Sequence, residues 1–284
     1  MSNKVRDVLV VGAGTMGNGI AQVFAQADCS VVLYDISQES IDRGMLNIKS
    51  MLTKAVDKGK MDNLEKEKIL SQISTMTDLR EACSGKSLVI EAAPEDMALK
   101  KNIFTNIELA TSKDTLIATN TSSLSITEIS ESLSHPSRFI GLHFFNPVPL
   151  MPLLEVVLGK ETSDFAREQA LEISKVIGKE PILVNDVPGF ASSRLGVCIG
   201  LEAMRMFGEG VASAEDIDKA MELGYRHPMG PLKLTDLVGL DVRLGIAEYL
   251  AEQLGPRFEP PQILKDMVAQ GKLGKKSGEG FYQW

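Results

Sequence analysis

The chain alternates between two hydrophobic periods over its first two-thirds and keeps only one over the last third. Val8–Val11 is a continuous apolar run ending in glycines, the pattern of a strand buried on both faces of a parallel sheet. Ile20, Ala21, Val23 and Phe24 then recur at helical spacing, and Ser30–Tyr34 is a second buried run. Residues 38–58 are polar, with Ile41, Met45, Ile48, Leu52 and Ala55 on one stripe, which predicts an amphipathic helix. Ser87–Glu91 predicts another strand and Met97–Leu109 a helix; Leu116–Thr119 and Phe139–Leu142 predict further strands. Leu153–Leu158 and Ile182–Val184 flank a helix near 164–177 and are expected at the far edge of the same sheet. This strand–helix alternation predicts an α/β fold with a doubly wound, Rossmann-type sheet.

Strand signals stop after Asp186-Val187-Pro188-Gly189. Phe190–Phe207 carries few charges (Arg194, Glu202 and Arg205), so it predicts a helix buried in a core or against a second subunit. Ser213–Asp216 is a capping box for the next helix, which Gly224 is expected to close. Residues 235–254 and 260–271 are two more helical stretches. The expected division is a Rossmann-like domain over 1–186 and an all-helical domain over 187–284.

Composition narrows the function classes. The 284 residues are 44% apolar and 24% charged with a net charge of -8, which suits a globular chain and disfavours binding to nucleic acid or an anionic membrane. No run approaches the ~18 apolar residues of a membrane-spanning helix. Cys29, Cys83 and Cys198 are far apart and form no CxxC, so three small buried residues in a reducing compartment are expected rather than a disulfide framework or a metal site. The first strand begins close to the N-terminus, which is expected to leave no room for a secretory leader; a cytoplasmic enzyme, or a mature organellar one, follows.

The candidate chemistry sits where predicted strands end. Gly12-Ala13-Gly14-Thr15-Met16-Gly17 follows a buried strand and opens a helix, the context in which a GxGxxG loop receives a dinucleotide pyrophosphate on backbone amides. Asp35 ends the second strand eighteen residues after Gly17. A carboxylate there accepts from a ribose 2′-hydroxyl and repels a 2′-phosphate, which favours NAD over NADP. His143 follows the Phe139–Leu142 strand and is either a general base for an alcohol or a packed core histidine. Glu155 lies among Leu153, Leu154, Val156 and Val157; buried, it needs a partner such as His143, and on an edge strand it faces water. Asn120-Thr121-Ser122-Ser123 offers hydroxyls to a ligand or forms a turn and helix cap. Lys54, Lys58 and Lys60 form a basic cluster, a phosphate-binding patch or simply a solvated helix end.

Taken together, Val10–Gly17, Asn120–Leu124, His143-Phe-Phe-Asn-Pro-Val-Pro149, Pro188-Gly-Phe190, His227-Pro-Met-Gly-Pro-Leu232 and Gly278–Tyr282 resemble the L-3-hydroxyacyl-CoA dehydrogenases, most of all the short bacterial 3-hydroxybutyryl-CoA form. The resemblance spans essentially the whole chain. It implies an NAD-binding domain and a helical domain that contributes to the substrate cleft and to a homodimer. It implies that His143 and Glu155 are the proton-transfer pair, that Ser122 and Asn146 touch cofactor and substrate, and that Asp35, Glu95, Lys100 and Lys276 join Gly12, Gly14, Thr15, Met16 and Gly17 around NAD. Lys54 and Lys58 would meet the CoA handle of an acyl-CoA substrate. One position departs from the family pattern: Ser193 stands where an active-site asparagine is usual. The expected reaction is reversible, NAD-dependent oxidation of a (3S)-3-hydroxyacyl-CoA. A sugar-acid dehydrogenase of L-gulonate type and a non-catalytic NADH-binding protein are the alternative readings.

Overall fold

The computed structural model describes Arg6–Trp284. The chain divides into two compact units, Met1–Asp186 and Val187–Trp284.

The first unit is an eight-stranded sheet flanked by helices. In chain order its elements are β1 (Asp7–Val11), α1 (Thr15–Gln26), β2 (Ser30–Tyr34), α2 (Gln38–Asp57), α3 (Asn63–Ser71), β3 (Ile73–Met76), α4 (Leu79–Cys83) and β4 (Leu88–Glu91). Then come α5 (Met97–Ala110), β5 (Leu116–Thr119), α6 (Ile126–Ser130), β6 (Phe139–Phe144), β7 (Leu153–Leu158), α7 (Asp164–Val176) and β8 (Glu180–Asn185). The strand order is β3-β2-β1-β4-β5-β6-β7-β8. The order reverses between β1 and β4, and ligands of such sheets bind at the carboxyl ends of the strands around that reversal. All neighbouring pairs are parallel except β6 and β7, which run antiparallel.

Burial follows the hydrophobic pattern. Val8, Leu9 and Val10 are inaccessible, as expected of a strand covered on both faces, and α2 buries Ile41, Ile48 and Leu52. Two strand expectations change. β3 carries too few apolar residues to announce itself, and β6 runs two residues further than expected, so His143 lies inside the strand rather than after it.

The second unit contains α8 (Ser192–Gly208), α9 (Ala214–Tyr225), α10 (Pro231–Val238), α11 (Leu240–Leu254) and α12 (Gln262–Ala269). The expected single helix over 235–254 is two, because Gly239 adopts φ 104°, which ends one helix and starts the next. Gly224 does not close α9; Arg226 does, in a left-handed conformation at φ 60°. The Ser213 cap forms as expected, its hydroxyl accepting from the Asp216 amide at 3.1 Å. Within its own unit α8 is buried on one face only: Val197, Leu201 and Met204 are covered, while Leu195, Ile199 and Cys198 are exposed. The expectation that all three cysteines are buried therefore fails at Cys198. No helix among the described residues is long and apolar enough to cross a membrane.

Candidate active site

The glycine loop shows the geometry of a dinucleotide cradle. A Cβ on Gly17 would lie 1.7 Å from the Gly12 carbonyl oxygen, so helix and strand meet there only with glycine. Gly12 needs its own freedom, with φ 106° and the carbonyl of Ala92, the residue just after β4, 2.7 Å from where a Cβ would be. Gly14 differs from both, because a Cβ there would meet no protein atom within 4 Å. That open space lies before α1, whose first turn has no side-chain cap, so Thr15, Met16 and Gly17 present their amides to an incoming anion. Asp35 braces the loop from β2, accepting from the Ala13 amide at 2.9 Å and the Ser37 amide at 3.1 Å. These residues fit the pyrophosphate and ribose of a dinucleotide.

At the other end of the parallel run, His143 on β6 pairs directly across the antiparallel step with Glu155 on β7. Its Nδ1 stands 2.7 Å from the Glu155 carboxylate. Glu155 is fully buried and His143 is 7% exposed, so of the two only the imidazole reaches the surface. The water-facing reading of Glu155 gives way to a buried pair; His143 is buried and hydrogen-bonded, an arrangement that both of its readings share. Phe145 packs on the imidazole with ring centroids 4.5 Å apart, and the Asn120 side chain accepts from the Phe144 amide at 2.9 Å. The ends of β5 and β6 are thereby tied together.

Glu95 organises the Asn120–Ser123 turn. Its carboxylate accepts from the Thr121 hydroxyl at 2.6 Å, the Ser122 amide at 2.9 Å and the Ser123 hydroxyl at 3.0 Å. Burial alone would raise the pKa of this carboxyl, but those donors and nearby Lys100 together hold it below the usual carboxylate range. The cap of α6 is Ser125, not this turn, so Ser122 is held half-buried without being spent on a helix end.

Lys100, which the resemblance places around NAD, is itself buried. It is 1% exposed and its ammonium donates to Glu91 at 2.5 Å and to the Ala93 carbonyl at 3.2 Å. Glu91 also accepts from the Thr119 hydroxyl at 2.7 Å and the Ala93 amide at 2.6 Å, and burial pushes its carboxyl up despite these donors. Lys100 reaches towards the Ser122 turn only through Glu95, 3.5 Å away.

A cavity of about 380 Å³ opens between α1, α2 and the loop after His143, lined by Asn18, Gln22, Ser50, Lys54, Asn146 and Val148. Lys54 and Asn146 meet there. Lys58, the residue that ends α2, does not line it. In the second unit Ser193 lies in the first turn of α8, and Lys276 forms an ion pair with Asp241 at 2.5 Å. Sequence reasoning missed Lys179. It is buried, and its ammonium donates to the Val148 carbonyl at 2.6 Å and the Met151 carbonyl at 2.7 Å, which pins the cavity-lining loop. A lysine just outside a helix carries no sequence signal of that task.

Family models divide the chain at nearly the same place. The NAD binding domain of 3-hydroxyacyl-CoA dehydrogenase matches residues 7–187, and the C-terminal domain of 3-hydroxyacyl-CoA dehydrogenase matches 189–284. The chain belongs to the 3-hydroxyacyl-CoA dehydrogenase family. Within that family it is 44% identical to a 3-hydroxybutyryl-CoA dehydrogenase of Clostridioides difficile over 97% of this chain and 98% of the relative. It is 41% identical to the mitochondrial hydroxyacyl-coenzyme A dehydrogenase of Sus scrofa over 99% of this chain and 91% of the relative. The crystal structure of the (S)-3-hydroxybutyryl-CoA dehydrogenase of Ralstonia eutropha superposes with a TM-score of 0.95 at 41% identity, covering 99% of each chain.

Proposed function

We propose that the chain catalyses reversible, NAD-dependent oxidation of (3S)-3-hydroxyacyl-CoA, with 3-hydroxybutyryl-CoA as the reference substrate. The observation that carries this reading is the buried His143–Glu155 pair at 2.7 Å at the strand ends of a dinucleotide-type sheet. Bound NAD supplies the hydride acceptor for the substrate's C3. His143 takes the hydroxyl proton in oxidation and returns it in reduction. Glu155 accepts from Nδ1, which fixes the ring and leaves Nε2 to the substrate, and it stabilises the imidazolium that forms. Ser122 holds the substrate oxygen or the nicotinamide amide, and Glu95 and Lys100 position Ser122 rather than react. Asp35 selects the 2′-hydroxyl form of the cofactor.

Asn146 contacts substrate beside the cofactor. Lys54 receives the phosphates of the CoA handle and Lys58 adds long-range attraction, so binding energy remote from C3 is available to the reaction. Ser193 and Lys276 are assigned by family resemblance, to substrate and cofactor respectively. A homodimer formed through residues 187–284 is supported by exposed apolar side chains on three helices, Leu195 and Ile199 on α8, Leu234 and Leu237 on α10, and Val242 on α11. We place the enzyme in the cytoplasm.

The test is NADH oxidation with acetoacetyl-CoA, repeated with NADPH and with free acetoacetate, beside NAD reduction with a sugar acid of L-gulonate type. Turnover that needs both NADH and the CoA ester is expected. Equal turnover of a sugar acid, or tight NADH binding without turnover of any ester, contradicts the reading.

A further inference from the structure

Gln22 on α1 is 4% exposed, yet its carboxamide has no hydrogen-bond partner among the described residues. Asn18, one turn earlier, is 8% exposed. Its side-chain nitrogen donates to the Gly14 carbonyl at 2.7 Å, and its side-chain oxygen accepts from no group among the described residues. Residues four apart share a helix face, and both of these line the cavity of about 380 Å³ between α1, α2 and the loop after His143. Buried carboxamides are normally hydrogen-bonded, so one left open towards a cavity marks a place where a ligand supplies the partners.

The walls around the two carboxamides are fixed before any ligand arrives. A Cβ on Gly19 would stand 2.9 Å from the Val148 Cβ, so glycine lets the loop after His143 lie directly against α1. Lys179 holds the same loop from the other side, through the carbonyls of Val148 and Met151. Of the lining residues only Lys54 is charged. Around Gln22 the wall is therefore neutral, with one N–H donor group and two oxygen acceptors on offer. A carboxylate or phosphate has no proton for those oxygens, and a hydrocarbon answers neither group. A neutral amide, which donates and accepts, answers both.

We infer that Gln22 is a specificity-determining residue, whose carboxamide, with the Asn18 oxygen beside it, hydrogen-bonds a secondary amide of the substrate's pantetheine arm. The inference rests on the reading of this cavity as the site of a CoA ester. That arm joins the reacting acyl group, placed beside Asn146, to the phosphates placed at Lys54, and both of those residues line the same cavity. The substrate is then selected along its uncharged stretch as well as by its phosphates. A thioester without the amide leaves Gln22 and Asn18 buried and unpaired, so it is rejected even where its charge and length are right.

The experiment uses two acetoacetyl thioesters that lack the nucleotide, so that Lys54 has no phosphate to hold. One is the N-acetylcysteamine thioester, and the other is its isostere with the amide N–H replaced by methylene. Each is compared by kcat/KM with NADH and by calorimetric binding to the NADH complex. The wild type is expected to prefer the amide by about 10–10²-fold, the cost of leaving a buried polar group unpaired. Gln22→Met is expected to collapse that ratio, and Gln22→Glu, which keeps an acceptor for the amide N–H, to retain part of it. A general folding defect lowers both thioesters alike and leaves the ratio in place, and the wild-type ratio needs no variant at all. A wild-type ratio near one, or a ratio that survives Gln22→Met in folded protein, overturns the assignment, and the dehydrogenase reading still stands if acetoacetyl-CoA is turned over. If the wild type binds the amide thioester preferentially but turns over neither it nor acetoacetyl-CoA, the role of Gln22 stands and the dehydrogenase reading fails.

Discussion

Two carboxylates on the same sheet, Glu91 on β4 and Glu155 on β7, are both fully buried. Glu91 is saturated: a lysine, a threonine hydroxyl and a backbone amide all donate to it. Glu155 faces an imidazole at 2.7 Å, and that imidazole is the one group of the pair with an exposed edge. A lysine–carboxylate pair closed off from solvent is scaffold. It ties α5 to β4 and, through Glu95, fixes the Ser122 turn. An imidazole oriented by a carboxylate can pass a proton to a ligand on its other side. Burial does not separate the two sites; the partner of the carboxylate and the access of that partner do.

The comparison is broken most forcefully at Lys100. Lys100→Met leaves Glu91 as an uncompensated buried acid and is expected to cost ~3–5 kcal/mol of stability, read as a lower urea midpoint. Replacing Glu91 and Lys100 together with apolar residues should recover most of that loss, because both desolvated charges go at once. Glu155→Gln should behave in the opposite way. Its turnover falls by ~10–10²-fold, as for groups that orient a catalytic side chain, while its unfolding midpoint moves little. A Glu155→Gln variant that unfolds early yet keeps its specific activity would place that pair in the scaffold too.

Smaller effects sharpen the picture around the pair. Asp35→Asn removes the charge that opposes a 2′-phosphate, and the NADPH-to-NADH ratio of kcat/KM should rise about tenfold, since like-charge juxtaposition is costly. Lys54→Ala should raise the KM for acetoacetyl-CoA about two- to fivefold with kcat unchanged, the worth of one exposed ion pair. Steady-state kinetics with CoA ester varied at saturating NADH reads that split.

The sheet and the pair were legible because both follow from local pattern. The continuous runs at Val8 and Leu88 announce buried parallel strands. Glu155 among aliphatics needed a partner if its strand was buried, and the return after the Pro147–Pro152 connection brought it opposite His143. The illegible parts depend on long-range packing. Lys100 and Lys101 read alike in sequence, yet only Lys100 turns inward to Glu91. Arg226 in a left-handed conformation lies two residues beyond the expected stop at Gly224, and the break at Gly239 falls inside a stretch whose periodicity runs straight through it.

The central claim is that His143 moves the substrate proton. Its most direct measurement is kcat for NADH-dependent reduction of acetoacetyl-CoA by His143→Ala, with the NADH dissociation constant determined on the same sample. The account predicts a ~10²–10⁴-fold fall in turnover with NADH affinity unchanged. A folded, NADH-binding His143→Ala protein that turns over at close to the wild-type rate would contradict it.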